Sequence, residues 1–386
     1  MSRVLGWPSK KGVERTENLP RTVDTSSPER FLVAEDDVPL RLVALALDAP
    51  LDGKMKTALG RLFAGDADGA LDRLRRIGAD LGLAGQVVPA LATGQPLETQ
   101  LAGVHYLFLE GAEITEAVLA RAPDLRLIQK HGEDCRNIDL AAAARRGVPV
   151  ARLRRWANTS VAEQTILLLL AVARRLLPSH AAALEPPADA TRGDSHYNWA
   201  RVRGLRSLRG MTLGLVGLGE IGREVARRAH AFEMHILYTQ RRRLPPALEA
   251  ALGAEFRPLP SLLAEADVVS LHVPLTADTR HLIAAAELEQ MRRGAILLNT
   301  SRGALVDEAA LVAALRDGHL GGAGLDVRAE EPPRDVAGLV GLPTVVLTPH
   351  VGAGTGTELC RDVRAVLDNV ARVRRGEPPT ILAGPE

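Results

Sequence analysis

Three stretches late in the chain set ionisable side chains among small residues. The first runs from Asn299 through Thr300, Ser301, Arg302 and Gly303 to Asp307. The second runs from Gly324 through Asp326, Arg328, Glu330 and Glu331 to Pro332. The third is Thr348, Pro349, His350, Val351 and Gly352, on to Thr355. Each begins in or just after an apolar run that reads as a buried strand. The polar residues therefore fall at strand ends, where open α/β sheets bind ligands. The types present fit carbonyl reduction. A cation must polarise the carbonyl and hold a neighbouring carboxylate, an acid must protonate the new alkoxide, and a carboxylate must hold that acid in its charged form. Arg302, His350 and Glu331 can fill these roles. Glu330 adjoins Glu331 and is the alternative, although the spacing from Asp326 favours Glu331. The bland reading is a packed loop histidine and surface ion pairs.

A fourth stretch would position the hydride carrier. Thr212 to Val216 reads as a buried strand, Gly217, Gly219 and Gly222 as a glycine turn, and the residues after Glu220 as a helix. In such a unit the first glycine permits the turn, the second lets backbone approach a pyrophosphate, and the third lets helix pack on strand. The helix N-terminus offers N–H groups to the phosphates. About 20 residues past the first glycine, an NAD binder usually carries Asp or Glu for the ribose hydroxyls. Here the chain reads Tyr238, Thr239, Gln240, Arg241, Arg242, Arg243. Guanidinium groups bind a 2′-phosphate that a carboxylate would repel. The expectation is NADP(H) in preference to NAD(H), with Arg241 as the clamp, Arg242 or Arg243 assisting, and Thr239 donating a hydroxyl.

The elements around these stretches alternate. Strands are expected at Leu40–Leu47, Val104–Leu109, Leu125–Gln129, Val148–Val150, Met234–Tyr238, Val268–His272, Ala295–Asn299, Gly322–Asp326 and Thr344–Thr348. Helical patterns fall between them, so the fold class is α/β with parallel sheets. A long helix is expected from Ser160 to about Leu177, with Ser160 capping it and Glu163 completing a capping box. Pro178 and the Pro186, Pro187 pair would end it. The last helix covers about Thr357 to Arg375. Residues 1–38, charged and without periodicity, read as a flexible arm. With 386 residues, 46% of them hydrophobic, the chain can build two domains. A net charge of +1 argues against nucleic-acid or membrane-surface partners. Two cysteines give neither a disulfide framework nor zinc spacing, so no metal is expected and a reducing cytoplasm is the default. The opening residues do not read as a signal peptide.

Taken together, from about Leu40 onward, the chain resembles the D-isomer-specific 2-hydroxyacid dehydrogenases, and its basic loop resembles the NADPH-using glyoxylate/hydroxypyruvate reductases among them. The resemblance rests on the glycine turn, on Ser160 to Glu163, on His272 to Leu275 with Thr279, on Asn299 to Asp307, and on Pro349 with His350. It implies two Rossmann-like or flavodoxin-like lobes with an interdomain cleft: residues 39–155 with 352–386 for the substrate, and 156–351 for the nucleotide. Arg302 would bind the substrate, His350 would be the acid/base, and Glu331 its partner. Thr159, Glu220, Ile221, Pro274, Thr279, Thr300, Asp326 and Gly352 would line the cofactor, Glu220 and Ile221 through backbone N–H groups. A homodimer through the Ser160 helix is implied as well. The substrate would be a small 2-oxo or 2-hydroxy acid.

The substrate loop departs from the family pattern of Gly-x-Gly-x-Asp-Asn-Ile-Asp. After Lys130 and His131 it reads Gly132, Glu133, Asp134, Cys135, Arg136, Asn137, Ile138, Asp139. Two added carboxylates near an anion site are costly unless Lys130, His131 or Arg136 neutralise them. An unusual substrate, bulky or carrying an amino group for Glu133 or Asp134, is the expectation. Arg328 stands where the family often has an aromatic. Rival readings are a non-enzymatic dinucleotide-sensing corepressor of the same fold, and a formate- or phosphite-type dehydrogenase.

Overall fold

The computed structural model describes residues 28–185, 201–332, 338–354 and 356–383. The chain divides into two compact units. One comprises the residues up to Arg154 and those from Cys360 onward; the other spans Arg155–Leu359.

In the first unit five parallel strands lie in the order β2-β1-β3-β4-β5. They are β1 (Glu29–Val33), β2 (Val87–Leu91), β3 (Val104–Leu109), β4 (Leu127–Lys130) and β5 (Val150–Arg152). This is the flavodoxin-like order. Strand β1 corrects the expected flexible arm: residues 1–27 lie outside the described residues, but Glu29–Val33 is an inner strand paired on both sides. Glu29 is buried and accepts a 2.7 Å hydrogen bond from the Tyr106 hydroxyl. It also pairs with Arg374 at 2.7 Å and with Arg126. The charge at the head of β1 made the segment look solvated, yet a paired carboxylate is what an inner strand tolerates.

The strand expected at Leu40–Leu47 is instead helix α1 (Val38–Ala46), with Pro39 in its first turn. An eight-residue apolar run cannot separate buried strand from buried helix, and proline at N1 or N2 suits a helix start. The one polar residue within it, Arg41, is buried and pairs with Asp36 and Asp52. Helices α2 (Gly53–Leu62), α3 (Ala67–Asp80), α4 (Glu116–Ala120) and α5 (Leu140–Arg145) follow. The chain returns to this unit in the final helix, where buried Asn369 donates to the Gln129 side chain on β4 at 2.8 Å.

In the second unit seven parallel strands run in the order β12-β11-β10-β9-β6-β7-β8. They are β6 (Thr212–Val216), β7 (His235–Thr239), β8 (Ala254–Phe256), β9 (Val268–Leu271), β10 (Ile296–Asn299), β11 (Gly322–Leu325) and β12 (Val345–Leu347). The order reverses at β6 and β9, the switch point where doubly wound sheets bind dinucleotides. Helix α6 (Ala157–Ala173) starts three residues before the expected cap, so Ser160 lies inside its first turn and is not its N-cap. It also stops earlier than expected. Arg175 adopts φ 52°, ψ 47°, and α7 (Leu176–Leu184) begins there. The Pro186, Pro187 break lies outside the described residues. Helices α8 (Glu220–Ala231), α9 (Pro246–Leu252), α10 (Leu259–Glu265), α11 (Ala285–Gln290) and α12 (Glu308–Arg316) complete this unit before α13 (Gly356–Arg374). The unit boundary falls inside α13, not at residue 352, because the loop to Gly352 is hydrogen-bonded to Asp326 of the second unit. Among the described residues no single helix is long and apolar enough to cross a membrane.

Candidate active site

The three glycines of the turn have separate physical reasons. Gly217 sits at φ 98°, and a Cβ there would lie 2.5 Å from the His272 carbonyl oxygen. At Gly222 a Cβ would lie 2.3 Å from the Gly217 carbonyl oxygen, so helix α8 packs directly on the turn. A Cβ on Gly219 would meet nothing within 4 Å. Protein packing therefore does not demand glycine at 219, and the backbone there is open to a ligand. Gly219 is the N-cap of α8 without a side-chain cap, which suits a phosphate at that end. The turn thus fits a dinucleotide. The Glu220 side chain accepts from Asn158 in the first turn of α6, beside Thr159, while Ile221 follows in the first turn of α8.

The basic loop after β7 divides its labour. Arg243 is committed to Glu249 at 2.8 and 2.9 Å, and its guanidinium lies 5.7 Å from the Phe256 ring centre. That pairing, with the Tyr238 hydroxyl, holds the Glu249 carboxyl down to about 2. Arg243 is thus tied to α9, while its side chain stays largely exposed. Arg241 and Arg242 are exposed beside the partly buried Thr239. Gln240 ties this loop to the glycine turn, accepting from Leu218 N at 3.2 Å and donating to Arg242 O at 2.6 Å.

The Arg302 loop is built by Asn299. Its Oδ1 accepts from Ser301 N at 3.0 Å and its Nδ2 donates to Arg302 O at 2.9 Å. Ser301 Oγ donates to Leu271 O at 2.6 Å, and Thr300 Oγ1 meets Thr165 Oγ1 of α6 at 2.9 Å. The Arg302 side chain is exposed, with Nη1 on its neighbour's carbonyl, Ser301 O, at 2.7 Å. Gly303 is where this loop touches the next: a Cβ there would fall 1.9 Å from the Arg328 carbonyl. Arg328 turns its guanidinium to Glu308 at the start of α12, with Nε at 3.1 Å. That pairing fixes the loop.

The third loop brings His350 and Glu331 together. His350 Nδ1 lies 2.6 Å from Glu331 Oε2, and Glu331 Oε1 accepts from Arg328 N at 2.9 Å. This settles the choice between adjacent glutamates for the histidine's partner in favour of Glu331. His350 is in the left-handed region, φ 55°, which costs a non-glycine residue free energy. Asp326 holds it there. Its buried carboxylate accepts from Thr348 Oγ1 at 2.5 Å, Val351 N at 3.0 Å and Gly352 N at 2.8 Å, while its carbonyl accepts from His350 N at 2.7 Å. Gln164 of α6 donates to Thr348 Oγ1 at 2.9 Å. Asn158, Gln164 and Glu308 are positioning residues that motif reading passed over, and Asn299, named at the head of its stretch, had no such role assigned; their signal, polar side chains next to strand ends or in an apolar helix, was present but ambiguous.

Two further expectations meet the geometry. Thr279 Oγ1 donates to Pro274 O and accepts from Thr276 N, both at 2.7 Å, so it shapes the loop beside the turn. In the first unit, Arg136 Nε binds both Asp134 oxygens at 2.8 Å, and the pairing holds that carboxyl below its ordinary range. Asp134 is neutralised by its neighbour two residues on. Lys130 Nζ donates to Glu110 O, and burial lowers its pKa. His131 Nδ1 lies 3.3 Å from Glu110 Oε2, and Gly132 takes φ 119°.

Sheet order and glycine turn together define a dinucleotide-binding α/β protein, and similarity to known proteins narrows the class. The family model described as D-isomer specific 2-hydroxyacid dehydrogenase, NAD binding domain, matches residues 166–352. The glyoxylate reductase of Thermococcus litoralis is 40% identical over 275 residues, 70% of this chain and 80% of that protein. The glycerate dehydrogenase of Methylorubrum extorquens is 32% identical over 292 residues, 75% of this chain and 89% of that one. The crystal structure of Rhodotorula graminis D-mandelate dehydrogenase aligns with a TM-score of 0.61 and 28% identity, over 93% of this chain and 98% of that one. The chain belongs to the D-isomer specific 2-hydroxyacid dehydrogenase family. It is an NAD(P)-dependent oxidoreductase that interconverts 2-oxo and 2-hydroxy acids.

His272, beside the glycine turn, yields a prediction. Its Nε2 is 2.9 Å from Ser270 Oγ, while its Nδ1 is sealed from solvent and meets no hydrogen-bond partner among the described residues. Burial pushes the imidazole down to about 4 from 6.5. The unfolded chain therefore binds the proton more readily, so this contribution is complete above pH 6.5 and is lost as pH falls toward 4. His272→Gln should remove on the order of 1–3 kcal/mol of that pH-dependent loss. Melting curves of both proteins from pH 7 to 4 test this; parallel curves would refute it.

Proposed function

We propose that the protein uses NADPH to reduce a short 2-oxo acid to the D-2-hydroxy acid, with Arg302, His350 and Glu331 as the reacting set. The observation that carries this reading is the 2.6 Å pair between His350 Nδ1 and Glu331 Oε2. With Nδ1–H given to the carboxylate, Nε2 is the atom left to deliver a proton to the nascent alkoxide. Arg302, free of any carboxylate partner among the described residues, takes the substrate carboxylate and polarises the carbonyl. Bound NADPH supplies the hydride to the carbonyl carbon. The glycine turn, Thr159, Thr239, Arg241, Arg242, Pro274, Thr279, Thr300, Asp326 and Gly352 are the groups proposed to hold it. Lys130, His131, Gly132 and Glu133 are the proposed substrate loop. Asp134, already paired, is a poor holder of an amino group, and the name of the archaeal relative supports a plain acid such as glyoxylate.

His350→Ala should lower kcat by roughly a thousandfold and leave NADPH affinity nearly unchanged; unaltered turnover would remove His350 from the mechanism. Cofactor choice is read separately. The ratio of kcat/KM should favour NADPH over NADH, and Arg241→Ala should cut the NADPH value about tenfold with little effect on NADH. A native preference for NADH would overturn the assignment.

We also propose a homodimer through α6 and α7. Leu167, Leu176, Leu177 and Leu184 are each at least half exposed on these neighbouring helices, and apolar surface of this kind marks contact sites. Light scattering should give twice the chain mass, with Leu177→Glu shifting it toward the monomer. A monomeric native protein would contradict this.

A further inference from the structure

The second unit contains a cavity of about 430 Å³ at the edge of the sheet opposite the loops just described. Asp267, Ala295 and Gly321 line it, each immediately before β9, β10 or β11. The reacting loops leave the other ends of these same strands. Strand β10 alone puts roughly 13 Å between the two edges.

Four arginines line this cavity, Arg175, Arg206, Arg292 and Arg293, against a single acidic residue, Asp267. That carboxylate is already engaged, with Oδ1 on Arg292 at 2.7 Å and Oδ2 on Thr212 N at 2.9 Å. Arg206 Nη1 donates to Gly294 O at 2.7 Å, which anchors it in the wall and leaves its charge uncompensated. Arg175 lies against Gly204, where a Cβ would be 3.3 Å from its Nη2. Among the described residues no acceptor meets the Arg175 guanidinium, and burial together with the charge of Arg206 disfavours its cation. Its backbone is in the left-handed region, at the break between α6 and α7. A cation partly withdrawn from water, beside another and without an acceptor, is stabilised by an anion that enters between them. The volume lies within the range of small-molecule sites and exceeds what a single inorganic ion fills.

We propose that this cavity binds a small phosphate-bearing metabolite with two or more negative charges, at a site separate from the nucleotide turn. Phosphoryl groups suit it because planar guanidinium forks bind their oxygens in pairs. The site belongs wholly to the second unit, so its occupant need not resemble the substrate.

Inorganic pyrophosphate is the probe, titrated calorimetrically into protein saturated with NADPH or NADH so that the glycine turn is blocked. At a fixed ionic strength near 0.15 M, saturable binding of about one pyrophosphate per chain with Kd below about 1 mM is expected. The double variant Arg175→Met/Arg293→Met should weaken it at least tenfold while leaving the KM for the dinucleotide unchanged. Arg293→Glu, a change at an exposed side chain, should weaken it similarly and serves if the double variant does not fold. Absence of saturable binding, or binding undiminished in the variants, would overturn the proposal.

Discussion

The loop that carries His350 depends on one buried carboxylate. Asp326 gathers three donors from the stretch Thr348 to Gly352, and its own carbonyl takes the amide of His350. A carboxylate with that many donors is satisfied without water. It can therefore sit inside the protein and hold a non-glycine residue at positive φ. The strain at His350 is offset by those bonds, and the imidazole is presented toward Glu331 instead of relaxing onto the surface. Glycine at 352 follows from the same constraint, since a Cβ there would crowd Asp326 Oδ2 at 2.9 Å.

The loops at neighbouring strand ends are coupled to this one by backbone contact. Glu331 is aimed by the Arg328 amide, and Arg328 is fixed by Glu308. Gly303 lies on the Arg328 carbonyl, so the Arg302 loop cannot shift without moving the Glu331 loop. Helix α6 joins them through Thr165 to Thr300 and Gln164 to Thr348. Arg302, Glu331 and His350 are thus carried by the loops after β10, β11 and β12 as a connected set. Electrostatic catalysis needs such groups to be placed before the substrate arrives.

Much of this was legible in the sequence. Strands β3 and β6 to β12, apart from short β8, announce themselves as apolar runs ending in polar residues. The glycine spacing announces the turn, and Arg302, Glu331 and His350 stand out by type and neighbourhood. The misreadings share a cause. Val38–Ala46 and Glu29–Val33 are decided by tertiary pairing: a buried Arg41 with two aspartates, and a buried Glu29 with two arginines and a tyrosine. A local apolar pattern does not register which charges will be paired, whether the partner is 5 residues away, as Asp36 is from Arg41, or 97, as Arg126 is from Glu29. The same holds for Arg243 and Arg328, whose charges suggested ligand contacts and whose carboxylate partners are visible only once the chain is folded.

In the proposed reaction Arg302 and His350 meet the two ends of one substrate. A crystal structure with NADPH and oxamate, an unreactive 2-oxo acid analogue, measures it directly. The oxamate carboxylate is expected on the Arg302 guanidinium, its amide oxygen within hydrogen-bond reach of His350 Nε2, and the nicotinamide facing the amide carbonyl carbon. Oxamate bound beside the nicotinamide but away from both side chains would contradict it.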